Sequence, residues 1–221
     1  MQLSKETLSK IKNFAEINQN LLIKSGSTLS TLSSAKTVMA DAAVPETFNV
    51  ATNGFGIYDL NEFLGIISLF DSPDLDFSDK YVTISEGKTS IKYFAADPSV
   101  LTFPTKALTF PEPEITFNMT SNILQSIRKV AAVLKTSDVS IVGDGSEIKF
   151  QVGDKKNATA NSYSSVIGQT DKEFVVNLKV DNLKLLPGDY SVAVSSKKIS
   201  RFSNADLTYF VAIEADSIFT V

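Results

Sequence analysis

Apolar positions recur with helical spacing in the first stretch of the chain, "LSKETLSKIKNFAEI". At 100° per residue Leu8, Ile11 and Ala15 share one side, while Lys5, Ser9, Lys12 and Glu16 stack on the other. The spacing predicts an amphipathic helix over residues 5 to 17 that turns Leu8 and Ile11 toward a core. β-rich segments follow in "NLLIKSG" and "ETFNVATNGFGIYD", then a short helix in "LNEFLGIISLF", then a hairpin in "KYVTISEGKTSIKYFAAD" with "EGK" as its turn. Further on, the strand "EITFNM" leads into a second long helix, "TSNILQSIRKVAAVLK", with Thr120 or Ser121 as its cap. A hairpin in "VSIVGDGSEIKFQV" turns on Asp144 and Gly145, and the strand "EFVVNLKV" comes after it. A short helical segment "DNLKLL" is stopped by Pro187 and Gly188 before the closing strands "DYSVAVSS" and "DLTYFVAIEAD".

The order of elements therefore repeats, and the endings "KYFAAD" and "YFVAIEAD" agree. Between the two halves, Pro98, Pro104, Pro111 and Pro113 interrupt "AADPSVLTFPTKALTFPEPEIT", which is too broken for a helix and too long for a turn. Its apolar residues Leu101, Phe103, Leu108 and Phe110 imply an extended connector packed along a surface, because a floppy linker would be polar. The expected organisation is two similar α+β domains, residues 1 to 108 including the connector and residues 109 to 221.

Charge changes the picture at the second long helix. Ile123, Ile127, Val130 and Leu134 form its expected buried side, with Gln125, Arg128, Ala132 and Lys135 opposite and Lys129 flanking. The chain has 25 acidic and 21 basic residues, a net charge of −4, yet Thr120 to Ser137 carries no acid and three bases. Lysines on the wet side of a surface helix are ordinary; a long helix stripped of acids also suits a surface that meets phosphates.

Absences narrow the chemistry. Without histidine there is no ready general base near neutral pH and no imidazole metal ligand, and without cysteine no thiol or disulfide chemistry. The carboxylates Asp71, Asp74, Asp76 and Asp79 superficially resemble a calcium loop. Counted from Asp71, however, the sixth position is Asp76 where glycine is needed and the twelfth is Val82 where glutamate is needed. A solvated acidic loop is the expectation there. "SEGKTS" ends like a phosphate-binding loop but has Val82 where its first glycine belongs. No apolar run approaches the roughly 20 residues of a membrane span, and the N-terminus lacks a signal-peptide core, so a cytoplasmic protein is expected.

"IYDLNEFLGIIS", "YFAADPS", "LPGDY" and "YFVAIEADS", together with the opening "LSKETLSKIKNFAEIN", resemble the DNA polymerase sliding clamps of T4-like bacteriophages. The resemblance implies two clamp-type domains per subunit, each with helices on one face of antiparallel sheet, assembled as a homotrimeric ring. It implies no catalysis and no cofactor or metal. The implied partners are duplex DNA held without regard to sequence, the phage DNA polymerase, a clamp loader and late-transcription proteins, all in the host bacterial cytoplasm. Lys5, Lys12, Arg128 and Lys135 would then point into the hole, with Lys129 beside them, offering about twelve cations per trimer. Ile91 and Tyr93 of one subunit would meet Tyr163 and Val166 of the next, and Phe103, Leu108 and Phe110 would wall a pocket for partner peptides. Two other classes compete with this one: a β-rich virion structural protein built on a repeated packing unit, and a carboxylate enzyme using Asp71 to Asp79.

Overall fold

Ser4 opens the first helix: its hydroxyl accepts from the Thr7 amide at 3.1 Å, and α1 (Lys5–Ile17) follows over the span its periodicity predicts. The computed structural model describes residues 1–157 and 159–220, in two compact units, Met1–Ala107 and Leu108–Val221.

In the first unit α1 is followed by β1 (Leu21–Ile23), β2 (Gly26–Leu32), β3 (Val38–Phe48), β4 (Phe55–Ile57) and α2 (Leu60–Ile67). Asp59 caps α2 by accepting from the amides of Asn61 and Glu62. The three-stranded sheet β5 (Asp74–Phe77), β6 (Tyr81–Glu86) and β7 (Thr89–Phe94) completes it; β1 pairs with β4 and β2 with β3, all antiparallel. In the β2–β3 ladder the register jumps between Gly26 and Thr28, so residues 44–47 stand opposite Ser27 alone. Pro45, which has no amide to give a ladder, lies inside that bulge. Helix α1 packs on α2 and β3, and Ile11, Phe14, Phe48, Phe55, Ile57 and Phe63 form the core beneath it. Each such side chain contributes about 1.5–3 kcal/mol of burial.

The acidic segment departs from the solvated loop expected of it. Asp74 to Phe77 is the strand β5, with Leu75 buried and Phe77 set edge-on to Phe55 at 5.1 Å, while Asp74 and Asp76 face water. Alternation of apolar and charged residues at period two is the signature of a half-buried strand. The carboxylates are solvated as expected, but the backbone that carries them is a strand. The hairpin β6–β7 turns at Gly87, in the left-handed region at φ 59°.

The second unit begins with β8 (Ile115–Met119) and α3 (Ser121–Leu134), then β9 (Asp138–Asp144), β10 (Glu147–Val152), β11 (Tyr163–Gln169) and β12 (Glu173–Lys179). The strands β13 (Tyr190–Ser195), β14 (Ile199–Ser203), β15 (Leu207–Ala212) and β16 (Ile218–Phe219) close it. One sheet has the order β11-β10-β9-β12-β16, and β15, β14, β13 and β8 lie side by side in another, antiparallel throughout. Helix α3 packs on β9 and β10. Its core includes Ile141, Phe150, Leu185, Phe202 and Tyr209.

"DNLKLL" is not the short helix its composition suggests. A single 3-10 turn covers Val180–Asn182, and the chain from Leu183 to Pro187 has no regular structure, although Leu183 and Leu185 are buried. Side chains from three other elements hold this segment in place.

Candidate nucleic-acid interface

The buried face of each long helix is turned away from the one that Leu8, Ile11 and Ala15, or Ile123, Ile127, Val130 and Leu134, would give it, by over a quarter of a turn in α1 and by roughly a sixth of a turn, in the opposite sense, in α3. In α1 the buried residues are Thr7, Lys10, Ile11, Asn13 and Phe14, leaving Leu8 and Ala15 half-buried. In α3 they are Leu124, Ile127 and Ala131; Ile123, Val130 and Leu134 are half-buried, and Val133 is 79% exposed. The largest apolar side chain of each face outside those sets, Phe14 in one and Leu124 in the other, sets the rotation.

On α1 the rotation leaves Lys5, Ser9, Lys12 and Glu16 exposed, as expected. Lys5 and Lys12 border a shallow cavity of about 340 Å³ together with Leu8, Ile67 and Phe70. Lys10, between them in sequence, points inward: it is 3% exposed, and its Nζ donates to Ala43 O at 2.6 Å and to Glu6 Oε1 at 2.5 Å.

On α3 the rotation moves Lys129 from the flank to the middle of the exposed face, with Asn122, Gln125 and Ala132 around it. Arg128, expected to face outward, is turned into its own unit. Its Nε and Nη2 donate to Leu183 O (3.1 and 2.5 Å), and Nη2 also reaches Leu185 O at 2.7 Å. A guanidinium fits this task because its planar fork can span two acceptors. Lys135 lies one residue past the helix, exposed and in the left-handed conformation at φ 52°, with the Thr136 amide bonded back to Ala131 O. It belongs to the C-cap and not to the helix face.

The starts of the two helices are also held from outside. Thr120 is the N-cap of α3 but its side chain makes no capping bond; the Ser121 amide donates instead to Asp189 Oδ1 at 2.8 Å. For α1, the Ser4 amide and the Thr7 hydroxyl both donate to the Glu46 carboxylate. Burial pushes that carboxyl up, and the bonds from Thr7 and Ser4 outweigh it, so its pKa lies below the ordinary value. Sequence reasoning misses Glu46, Asp189, Lys10 and Tyr190. The available signals are "LPGDY" directly after a helix-stopping Pro-Gly and the position of Lys10 one turn before Phe14.

The expected subunit-interface residues fall on two strand edges. β7 pairs only with β6 and β11 only with β10 among the described residues. Ile91 is half-buried, whereas Tyr93 is buried against Phe63 (5.3 Å between ring centres) with its hydroxyl toward Asp59 O. The side chains β7 presents outward are Ser90, Lys92 and Phe94, the last 67% exposed. On β11 Tyr163 is half-buried and Val166 is 53% exposed.

The three pocket candidates are divided between the units. Phe103, under the Lys24 ammonium at 5.7 Å, lines a groove of about 370 Å³ with Leu22, Met39 and Pro104 in the first unit. Phe110 packs in the second unit between Phe210 and the Arg201 guanidinium, which lies 4.8 Å from its ring centre, and Leu108 is half-buried. Among the described residues, no group of carboxylates is arranged to hold a metal ion, and no helix is long and apolar enough to cross a membrane.

Residues 116–215 match the family model of the gp45 sliding clamp, C terminal. Over nearly the whole chain the protein is 30% identical to the sliding clamp of Vibrio phage KVP40, covering 97% of this chain and 100% of that one. The chain belongs to the sliding-clamp family of T4-like phages. To the sliding clamp of Enterobacteria phage T4 this clamp is 32% identical, with 98% of each chain covered. Its fold is shared with PCNA from Thermococcus kodakaraensis at a TM-score of 0.71 and 11% identity, over 95% of this chain and 96% of that one. At so low an identity the likeness concerns the backbone alone, and it agrees with two clamp-type α+β domains per chain.

Proposed function

We propose that this clamp assembles as a homotrimeric ring around duplex DNA and slides along it, with Lys5 and Lys12 of α1 and Lys129 and Lys135 of α3 turned to the phosphates. The observation that carries the reading is the exposed face of α3, centred on Lys129 in a helix without a single acid. Phosphate contacts carry no base information, so a ring held by them is free to move along any sequence. A net charge of −4 keeps the remaining surface from competing for the same DNA. The protein has no catalytic role; it tethers the phage DNA polymerase in the host cytoplasm, is placed on DNA by a clamp loader, and also engages late-transcription proteins.

Subunits join through the open edges of β7 and β11, so Ile91 and Tyr93 contribute backbone, and Tyr163 and Val166 meet them from the neighbour. The half-buried state of Ile91 and Tyr163 and the exposure of Val166 support this pairing, since an unguarded strand edge recruits another. Partner peptides enter the groove walled by Phe103. Its apolar wall of Leu22, Met39, Phe103 and Pro104 suits an aromatic or aliphatic anchor.

The test is charge reversal. Lys12→Glu with Lys129→Glu alters six side chains per trimer and should abolish loader-dependent processive synthesis while circular dichroism and sedimentation stay those of the wild type. Wild-type processivity in that variant would rule out the basic channel.

A further inference from the structure

The two long helices are seated alike, each within its own unit. At the N-terminus of each, a carboxylate from elsewhere in the unit accepts from the helix: Glu46 from the Ser4 amide and Thr7 hydroxyl in α1, and Asp189 from the Ser121 amide in α3. One to two turns further on, a cation of the helix returns to backbone carbonyls of the same segment. Lys10 reaches Ala43, three residues before Glu46; Arg128 reaches Leu183 and Leu185, six and four residues before Asp189. Two fixed points along a helix define both its axial height and its rotation.

The receiving segments lie at or beside irregular backbone, Ala43 being the last residue in register with β2 before the bulge. Residues 44–47 form the bulge that carries Pro45. In the second unit Tyr190 Oη donates to Leu186 O at 2.5 Å, the Leu186 amide donates to Tyr209 Oη at 3.1 Å, and the two rings meet edge to face at 5.9 Å. Leu183 and Leu185 fill the core beneath. The segment is thus clamped by β13 and β15 on one side and offers its carbonyls to Arg128 on the other.

We infer that Arg128, and Lys10 in parallel, are positioning residues: they do not meet DNA but set the rotation and height at which Lys129 and Lys135, or Lys5 and Lys12, are presented. A guanidinium committed through Nε and Nη2 to two carbonyls has no geometry left for a bidentate phosphate clasp. The consequence for DNA rests on the channel proposed above; the seating itself does not.

The experiment separates the two. Because the chain has no cysteine, Ala132→Cys on α3 and Ser191→Cys on β13, both exposed, can be spin-labelled cleanly and their separation measured by pulsed dipolar spectroscopy without DNA. In the unlabelled, cysteine-free chain, association with a 30-base-pair duplex is titrated between low and moderate salt for Arg128→Gln, Arg128→Lys and Lys129→Gln.

A positioning role predicts that Arg128→Gln moves the label distance by about 1–2 Å and weakens DNA association by about tenfold. Arg128→Lys should do nearly the same despite keeping its charge, because a lysine cannot span two carbonyls. Lys129→Gln should leave the distance alone and lower the slope of log K against log salt by about 0.9 for each phosphate no longer neutralised. If instead Arg128→Lys matches wild type in distance and affinity while Arg128→Gln flattens the slope as much as Lys129→Gln, Arg128 binds phosphate and the inference fails. It fails equally if both Arg128 variants only melt at lower temperature with distance and DNA affinity unchanged. A shifted distance in both Arg128 variants, with a salt slope indifferent to Lys129→Gln, would keep the seat and remove the channel.

Discussion

Helix α1 leaves its last turn through Asn18, whose backbone is extended and whose side chain donates to Leu32 O at 2.9 Å and Thr102 O at 2.8 Å. Helix α3 leaves through an exposed lysine in the left-handed conformation, a place where glycine is the usual occupant. Their buried faces differ in the same sense. α1 brings Ile11 and Phe14, both fully buried, to its core; α3 brings Leu124, Ile127 and the small Ala131. A helix whose fully buried face lacks an aromatic anchor and whose end is strained depends more on its polar fastenings. Arg128 accordingly makes three bonds where Lys10 makes one to the backbone and one to Glu6.

The comparison breaks most visibly in the core. Phe14→Ala should cost about 3–5 kcal/mol and Leu124→Ala about 2–5 kcal/mol, measured by urea denaturation, because each leaves a cavity its neighbours cannot fill. Equal, small losses would mean that neither helix is fixed by its apolar face.

The fastenings come next. Arg128→Met strands the carbonyls of Leu183 and Leu185, whereas Lys10→Met keeps its aliphatic stem in place and strands only Ala43; the first should lose about 2–4 kcal/mol and the second about 1–2 kcal/mol. The same denaturation series measures both, and the reverse order would show that α1 is the more dependent on its cation.

Acid should act on the α1 seat. The folded-state pKa of Glu46 is below its ordinary value of 4.5, so its contribution is complete above that value and disappears as pH falls through the lowered folded-state pKa. Stability of the wild type should therefore fall more steeply than that of Glu46→Gln below about pH 4.5, in denaturation curves recorded from neutral to acid. Parallel curves would mean that the bonds from Ser4 and Thr7 survive protonation.

The smallest effect sharpens the contrast at the helix ends. Lys135→Gly removes the left-handed strain and should raise stability by about 0.5–1 kcal/mol, while weakening DNA association because a cation is removed. Gly145→Ala at the β9–β10 turn, where φ is 81°, should move stability the other way by about 1 kcal/mol. Thermal melts of the pair give both signs.

Much of the architecture is legible in the chain. The limits of α1, the hairpins at Gly87 and Gly145 and the interrupted connector all follow from spacing and turn chemistry, which are local. Side-chain alternation in "DLDF" is equally readable, but its acids suggest a charged loop and mask the period of two that makes β5 a strand. "DNLKLL" misleads for a different reason: its leucines are buried by partners far away in sequence, and its carbonyls are satisfied by Arg128 and not by its own backbone. Thr120 occupies the cap position its sequence predicts, yet Asp189 takes over the bond from 68 residues away.

By itself, then, the sequence determined where helices and turns occur, that α3 is free of acids, and that lysines stand on the water side of both long helices, because those properties are written in spacing and residue type. Which cations meet solvent and which meet carbonyls followed from long-range packing. Lys10 and Lys12 are alike in residue type, as Arg128 and Lys129 nearly are, and differ in the face of the helix they occupy. Which of each pair turns inward is set by Phe14 and Leu124, which fill space that exists only once β3, β9 and β10 are in place.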